Sequence, residues 1–307
     1  MKAIWQDNTP YSKLLISVGI ILMSAVLFTA ISTAVAVAVF HLNMAEIQHV
    51  LTNYTDPRAI SILKVIQTIS AFGTFVVPPF FLAYLFSSEP GEYLGITRNP
   101  GRSWLLAITG MLAVTPFINF IGEINASLHL PTFLKGVEEW MKQTEAQAAE
   151  ITKVFLDMKN PLDLIVNLFM IGLIPAIGEE LVFRGVVQRI FSQWWKNKHI
   201  AVWVTAILFS AMHMQFYGFL PRLVLGAMLG YLYLWSGSLW LPILAHFTNN
   251  AAAVIFTYLF QHGYSTIDPD AIGTGSDFSS TAISLALTGA IFFMIWKREQ
   301  ALKETTI

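Results

Sequence analysis

From Leu14 to Phe40 the chain carries no charged side chain, and no other feature limits its possible folds so strongly. The hydrocarbon core of a bilayer takes about 20 helical residues to cross. Inside it every backbone N–H and C=O must be satisfied within the protein, which leaves the α-helix or a closed barrel. The run is too long for the apolar core of a signal peptide, roughly 7 to 15 residues, so it reads as a retained transmembrane helix. Comparable runs follow at roughly Ile60–Phe86, Trp104–Ile121, Pro161–Ile190 and from Ile200 to His213. A sixth carries Gly226 and Gly230, a seventh His246, and an eighth spans about Ser280–Trp296. The expected fold class is all-α, a polytopic membrane protein of about eight transmembrane helices.

Composition agrees. The chain is 55% hydrophobic and 12% charged, about half the charge of an ordinary soluble domain. A net charge of -1 and the lack of a basic cluster interleaved with aromatics set nucleic acid aside as a partner and leave the lipid bilayer. With no cysteine, disulfides, thiolate catalysis and cysteine-ligated zinc are excluded. Pro78-Pro79 should kink the second span near one end. Gln67 and Asn119 read as hydrogen-bonding glue between helices, and Gly226 and Gly230 as a small-xxx-small packing pair. Between Gly122 and Asn160, the residues Val137, Met141, Thr144, Ala148, Ile151, Phe155 and Met158 recur at steps of four and three. That spacing makes an amphipathic helix at about 136–158. Its acidic remaining faces suit packing on the bundle rather than on anionic lipid.

Within this apolar background, Glu179-Glu180-x-x-x-Arg184 stands out. Ionisable residues at membrane depth face a bundle interior or a wet cavity and mark function. One turn apart, Glu180 and Arg184 can pair, whereas Glu179 projects about 100° away with no partner in its own helix. His213 follows Phe209 by four residues in the fifth span, and Asn250 follows His246 by four in the seventh. A Glu and a His converging on one water can take its proton, while a second His and an Asn amide donate to the oxyanion formed on a carbonyl. The same side chains, His213, His246 and Glu179, could instead ligate a divalent metal such as zinc with one position open for water. Residue type fits both.

These three motifs, in this order on consecutive apolar spans, resemble those of the CAAX prenyl endopeptidase and bacteriocin-processing family of intramembrane proteases, also called Abi. The resemblance covers roughly Pro161 to Phe260. It implies eight helices around an intramembrane catalytic cavity. Glu179 and His213 would activate water, His246 with Asn250 would support the oxyanion, and Glu180, Arg184 and Phe209 would be accessory. The substrate it implies is a membrane-associated or lipidated peptide. The chain then divides into residues 1–160, with three transmembrane helices and the amphipathic helix, 161–260, the catalytic core, and 261–307, a loop and the last span.

Other chemistries leave fewer traces. There is no His-Glu-x-x-His, no Gly-x-Ser-Gly and no paired Tyr-Asp with Gly-x-Gly-Asp, and Gly273-Thr274-Gly275-Ser276-Asp277 reads as a turn. A catalytically silent scaffold or immunity protein that shields a membrane peptide is the alternative, followed by a proton-coupled transporter, against which the lack of inverted repeats counts. The distribution of Lys and Arg, with Arg58, Lys64 and Arg222 assigned to external connections, puts both termini in the cytoplasm, with the cell inner membrane as the expected location. At about 1.5 Å per residue, Glu179 lies roughly 15 Å from the inner end of its helix, His246 about 10 Å and His213 about 20 Å. This scatter suits a water network better than zinc, and with Glu180 serving Arg184 neither imidazole has an assigned carboxylate partner. The expectation is metal-independent hydrolysis, although the family is often labelled a metalloprotease.

Overall fold

The computed structural model describes residues 3–53, 55–268 and 278–305, so the Gly273–Asp277 turn lies outside the described residues. The first apolar run forms α1, Pro10–Phe40, started by Thr9, whose hydroxyl accepts the Ser12 N–H. A short helix α2, Met44–Thr52, begins with a reciprocal capping box between Asn43 and Glu46. α3, Pro57–Phe86, loses regular helix at Val76, just ahead of Pro78-Pro79, which have no N–H for the turn before them.

The third apolar run is two helices, α4, Ser103–Ala113, and α5, Thr115–Ala126, bent by 43° where Pro116 withholds its N–H. The amphipathic spacing forms α6, Lys135–Phe155, somewhat shorter than expected. α7, Pro161–Trp194, carries the di-glutamate and contains two π-helical stretches, Leu168–Leu173 and Leu181–Gln188. Then come α8, Lys198–Met212, α9, Phe219–Ser236, α10, Trp240–Gln261, and α11, Phe278–Thr305.

The eight apolar runs are all helical, but eight full spans are not reached. Among the described residues six helices are long and apolar enough to cross a bilayer, or seven if α4 and α5 count as one bent span. The shortfall is α8. Its 15 residues extend roughly 22 Å, well under the hydrocarbon thickness of about 30 Å. It ends at its cap, His213, and the chain turns sharply at Met214, whose φ is 53°.

α7 is the axis of the bundle, packed against both α3 and α10, while α8 lies along α9 and α4 packs on α10 and α11. The α8–α9 contact is close because Gly226 has no side chain. A Cβ there would stand 3.1 Å from the Phe209 ring and 3.3 Å from the Ala206 Cα. α1 touches chiefly α3 and leaves Leu22, Met23 and Val26 exposed, as suits a helix facing lipid. The protein is an integral membrane protein.

Candidate active site

Glu180 and Arg184 are fully buried, and Arg184 Nη1 donates to Glu180 Oε1 at 2.6 Å. The guanidinium also donates from Nη2 to the Gly226 carbonyl at 2.7 Å and stacks over the Phe209 ring, 4.8 Å from its centroid. One arginine therefore joins α7, α8 and α9. A buried charge is tolerable only when paired and hydrogen-bonded. In this cluster Glu180 Oε2 and Arg184 Nε are the atoms without a protein partner among the described residues.

Glu180 does more than serve Arg184. Its Oε1 also accepts from His246 Nδ1 at 2.9 Å, so the expectation that neither imidazole has a carboxylate partner is corrected for His246. The reason is register. α10 packs on the stretch Ile174–Glu180 of α7, which brings His246 within reach of the same oxygen.

The two histidines are presented alike. His213 Nδ1 lies 2.9 Å from the Phe209 carbonyl, and a carbonyl can only accept, so Nδ1 carries the proton and Nε2 keeps its lone pair in the neutral ring. The carboxylate on His246 Nδ1 likewise holds a proton on that nitrogen, so Nε2 is an acceptor in the neutral ring and a donor in the imidazolium. His246 Nε2 then points toward Glu179, whose Oε2 is 3.9 Å away, too far for a direct hydrogen bond and suited to one bridging water.

Asn250 reaches α7 as well. Its Nδ2 donates to the Ile171 carbonyl at 3.2 Å and its Oδ1 accepts from Asn249. Pro175, four positions on, has no N–H to offer the Ile171 carbonyl. One N–H of the Asn250 amide remains for the cavity.

Glu179, His213, His246, Asn249 and Asn250 line a cavity of about 860 Å³, with Gln67 of α3 and Arg222 of α9. Its remaining wall is largely apolar and includes Ala148, Ile151 and Phe155 of α6, so the predicted apolar face of the amphipathic helix roofs this space. Sequence reasoning missed three contributors. Gln67 was read as interhelical glue, Asn249 has only its position beside Asn250 as a signal, and Arg222 was assigned to an external connection. Arg222 instead lies in α9, partly buried at the cavity.

The donor set for a metal is not assembled. Among the described residues no three His, Asp or Glu side chains gather so as to hold a metal ion. His213, His246 and Glu179 therefore do not present a three-donor zinc centre in this geometry.

Fold and cavity define an integral membrane protein in which Glu179, His213, His246 and Asn250 line one cavity. Residues 161–252 match the family described as Rce1-like, type II CAAX prenyl endopeptidase, and this match, which contains the three motifs, supports the resemblance to the CAAX prenyl endopeptidase and bacteriocin-processing family over that stretch. The chain is 27% identical over 180 residues to an uncharacterized 24.3 kDa protein of Escherichia coli, a match covering 57% of this chain and 73% of the relative. It is 31% identical over 89 residues to the uncharacterized protein YpbD of Bacillus subtilis (strain 168), covering 28% and 42%. No solved structure matches.

Proposed function

We propose that the protein is an intramembrane endopeptidase that hydrolyses a peptide bond of a membrane-associated peptide with a water activated by Glu179 and histidine. The observation that carries this reading is that Glu179 is the carboxylate on the described cavity wall, with His246 Nε2 3.9 Å from its Oε2 and His213 and Asn250 on the same wall.

A water held by Glu179 and the His213 Nε2 lone pair gives its proton to Glu179 as its oxygen attacks the peptide carbonyl. The tetrahedral oxyanion receives the remaining Asn250 N–H, and His246, oriented by Glu180, donates from Nε2 in its protonated form. Collapse breaks the C–N bond, and Glu179 returns its proton to the leaving amine. The products are a new carboxyl terminus and a free amine. The apolar wall keeps bulk water away and strengthens each of these interactions.

Lipidated peptides are the substrates implied by the family, and both termini are proposed to face the cytoplasm of a cell inner membrane. The roles of Glu179 and His213 are tested in proteoliposomes loaded with membrane peptides. Glu179→Ala or His213→Ala should each remove nearly all turnover, and the double variant should lose little more than either single one. Independent, multiplying losses would show that the two do not act on one water.

A further inference from the structure

The cavity contains a charge that the three motifs do not include. Arg222 shares the wall with Glu179, His213 and Asn250. A guanidinium does not give up its proton in a protein, so its surroundings must answer the charge. For Arg184 they do so with Glu180. For Arg222 the partners are neutral: Nη1 donates to the Gln215 carbonyl at 2.9 Å and Nη2 to the Gln215 side-chain oxygen.

The carboxylates whose charge reaches Arg222 are Glu145 and Glu179, and neither forms an ion pair with it. Glu145 Oε2 accepts the Tyr217 N–H at 3.2 Å, and Glu179 faces His246. Among the described residues two of the five guanidinium N–H groups are used, and three are left. The head group is also held in place. It folds over Gly218, where a Cβ would collide with Nη2, and the left-handed Met214 turn precedes the Gln215 that grips it.

We propose that Arg222 is the specificity-determining residue of the cavity and binds a carboxylate of the peptide substrate. This rests on reading the cavity as a peptide-hydrolysing site. The planar fork matches a carboxylate with two parallel N–H donors, which a point-charge ammonium does not. In an apolar cavity the incoming anion supplies the countercharge that the protein leaves out. A peptide without one leaves the guanidinium with neutral direct partners and no ion pair. The carboxylate is either the chain terminus or an Asp or Glu side chain, and both present the same fork.

The test uses the full-length protein in proteoliposomes and matched synthetic apolar peptides: a free C-terminal acid, its C-terminal amide, and the amide carrying an internal Glu or an internal Gln. The wild-type protein should cleave carboxylate-bearing members about 10- to 100-fold faster than neutral ones, expressed mainly in KM. Loss on C-terminal amidation identifies the terminus as the source, and loss on Glu-to-Gln replacement identifies a side chain. Arg222→Gln should collapse the acid-to-neutral ratio to about one, and Arg222→Lys should restore part of it. Equal losses on all four peptides would mean that Arg222 only holds the Gln215 loop, and would overturn the proposal. A binding arm separates this from failure of the hydrolytic reading. Glu179→Gln protein should bind the fluorescent acid peptide at least about tenfold tighter than its neutral counterpart, and Glu179→Gln/Arg222→Gln should not. Equal binding of both peptides to Glu179→Gln would refute carboxylate recognition, whether or not any peptide is cleaved.

Discussion

One side of the cavity, where α7 meets α10, is closed by Glu180, Arg184 and His246, all buried, with Glu180 bonded to the other two. The other side, where α8 turns into α9, presents Arg222 on neutral partners and His213 with a free Nε2. Both sides carry an arginine, Arg184 buried away from the cavity lining and Arg222 on it, and they differ in where the countercharge comes from. A charge neutralised inside the protein ties helices together, and one left open to the cavity is available to a ligand. The same contrast separates Glu179 from Glu180, because adjacent residues on a helix point about 100° apart and only Glu179 reaches the cavity wall.

The closed side should break most severely. Glu180→Gln or Arg184→Met leaves one buried charge unanswered and should cost about 3–5 kcal/mol, read as a loss of folded protein in reversible denaturation. The double variant should cost much less than the sum, since it removes both charges. Additive losses would contradict the pairing. Glu180→Gln should also lower turnover, because His246 loses its orienting acceptor.

Asn250 belongs to both regions, so its two duties can be separated. Asn250→Ala should reduce turnover about 10²- to 10³-fold as a lost oxyanion donor, and destabilise by about 1–3 kcal/mol by leaving the Ile171 carbonyl unsatisfied. In a Pro175→Ala background that carbonyl regains an N–H from its own helix. The stability cost should then shrink while the loss of turnover stays. If both vanish together, Asn250 acts through helix geometry alone.

Because His213, His246 and Glu179 do not form a three-donor cluster, exhaustive chelation should leave turnover intact. One equivalent of copurifying zinc whose removal abolishes activity and whose return restores it would make these three residues ligands and reassign the base.

The smallest effect belongs to α6. Glu138 is held by Lys142 at 2.8 Å and by His129 at 3.1 Å, which pulls its carboxyl from an ordinary 4.5 down to about 2. The contribution of a depressed carboxylate is fully present above its unfolded value and lost as pH falls through its folded one. Between about pH 7 and pH 4, hydrogen exchange of Lys135–Phe155, corrected for intrinsic rate, should therefore barely change. Lost protection by about pH 4 would place the roof's attachment elsewhere.

The motif residues could be read from sequence because ionisable groups are so rare at membrane depth that Glu179, His213 and His246 stand out individually. Their mutual placement could not. A uniform helical rise scattered them in depth, whereas the chain uses two π-helical stretches around Ile174–Glu180 and a 15-residue α8 that stops at His213, and neither leaves a strong local signal. That His246 shares Glu180 with Arg184 depends on how α10 is rotated against α7, which no single segment encodes. The apolar stripe of α6 was plain from its spacing, but the cavity beneath it was not. That Arg222 lines the cavity is not legible from its position in the chain, because its setting depends on Gly218 and Gln215.

The central claim is that Glu179 activates water in this cavity to cut a peptide bond. It is tested by incubating proteoliposomes of wild-type and Glu179→Gln protein with membrane peptides in heavy-oxygen water, and sequencing the products by mass spectrometry. The account predicts new carboxyl termini carrying the heavy oxygen with wild-type protein and none with Glu179→Gln, at equal thermal stability of the two. Labelled termini produced equally by both proteins, or by neither, would contradict it.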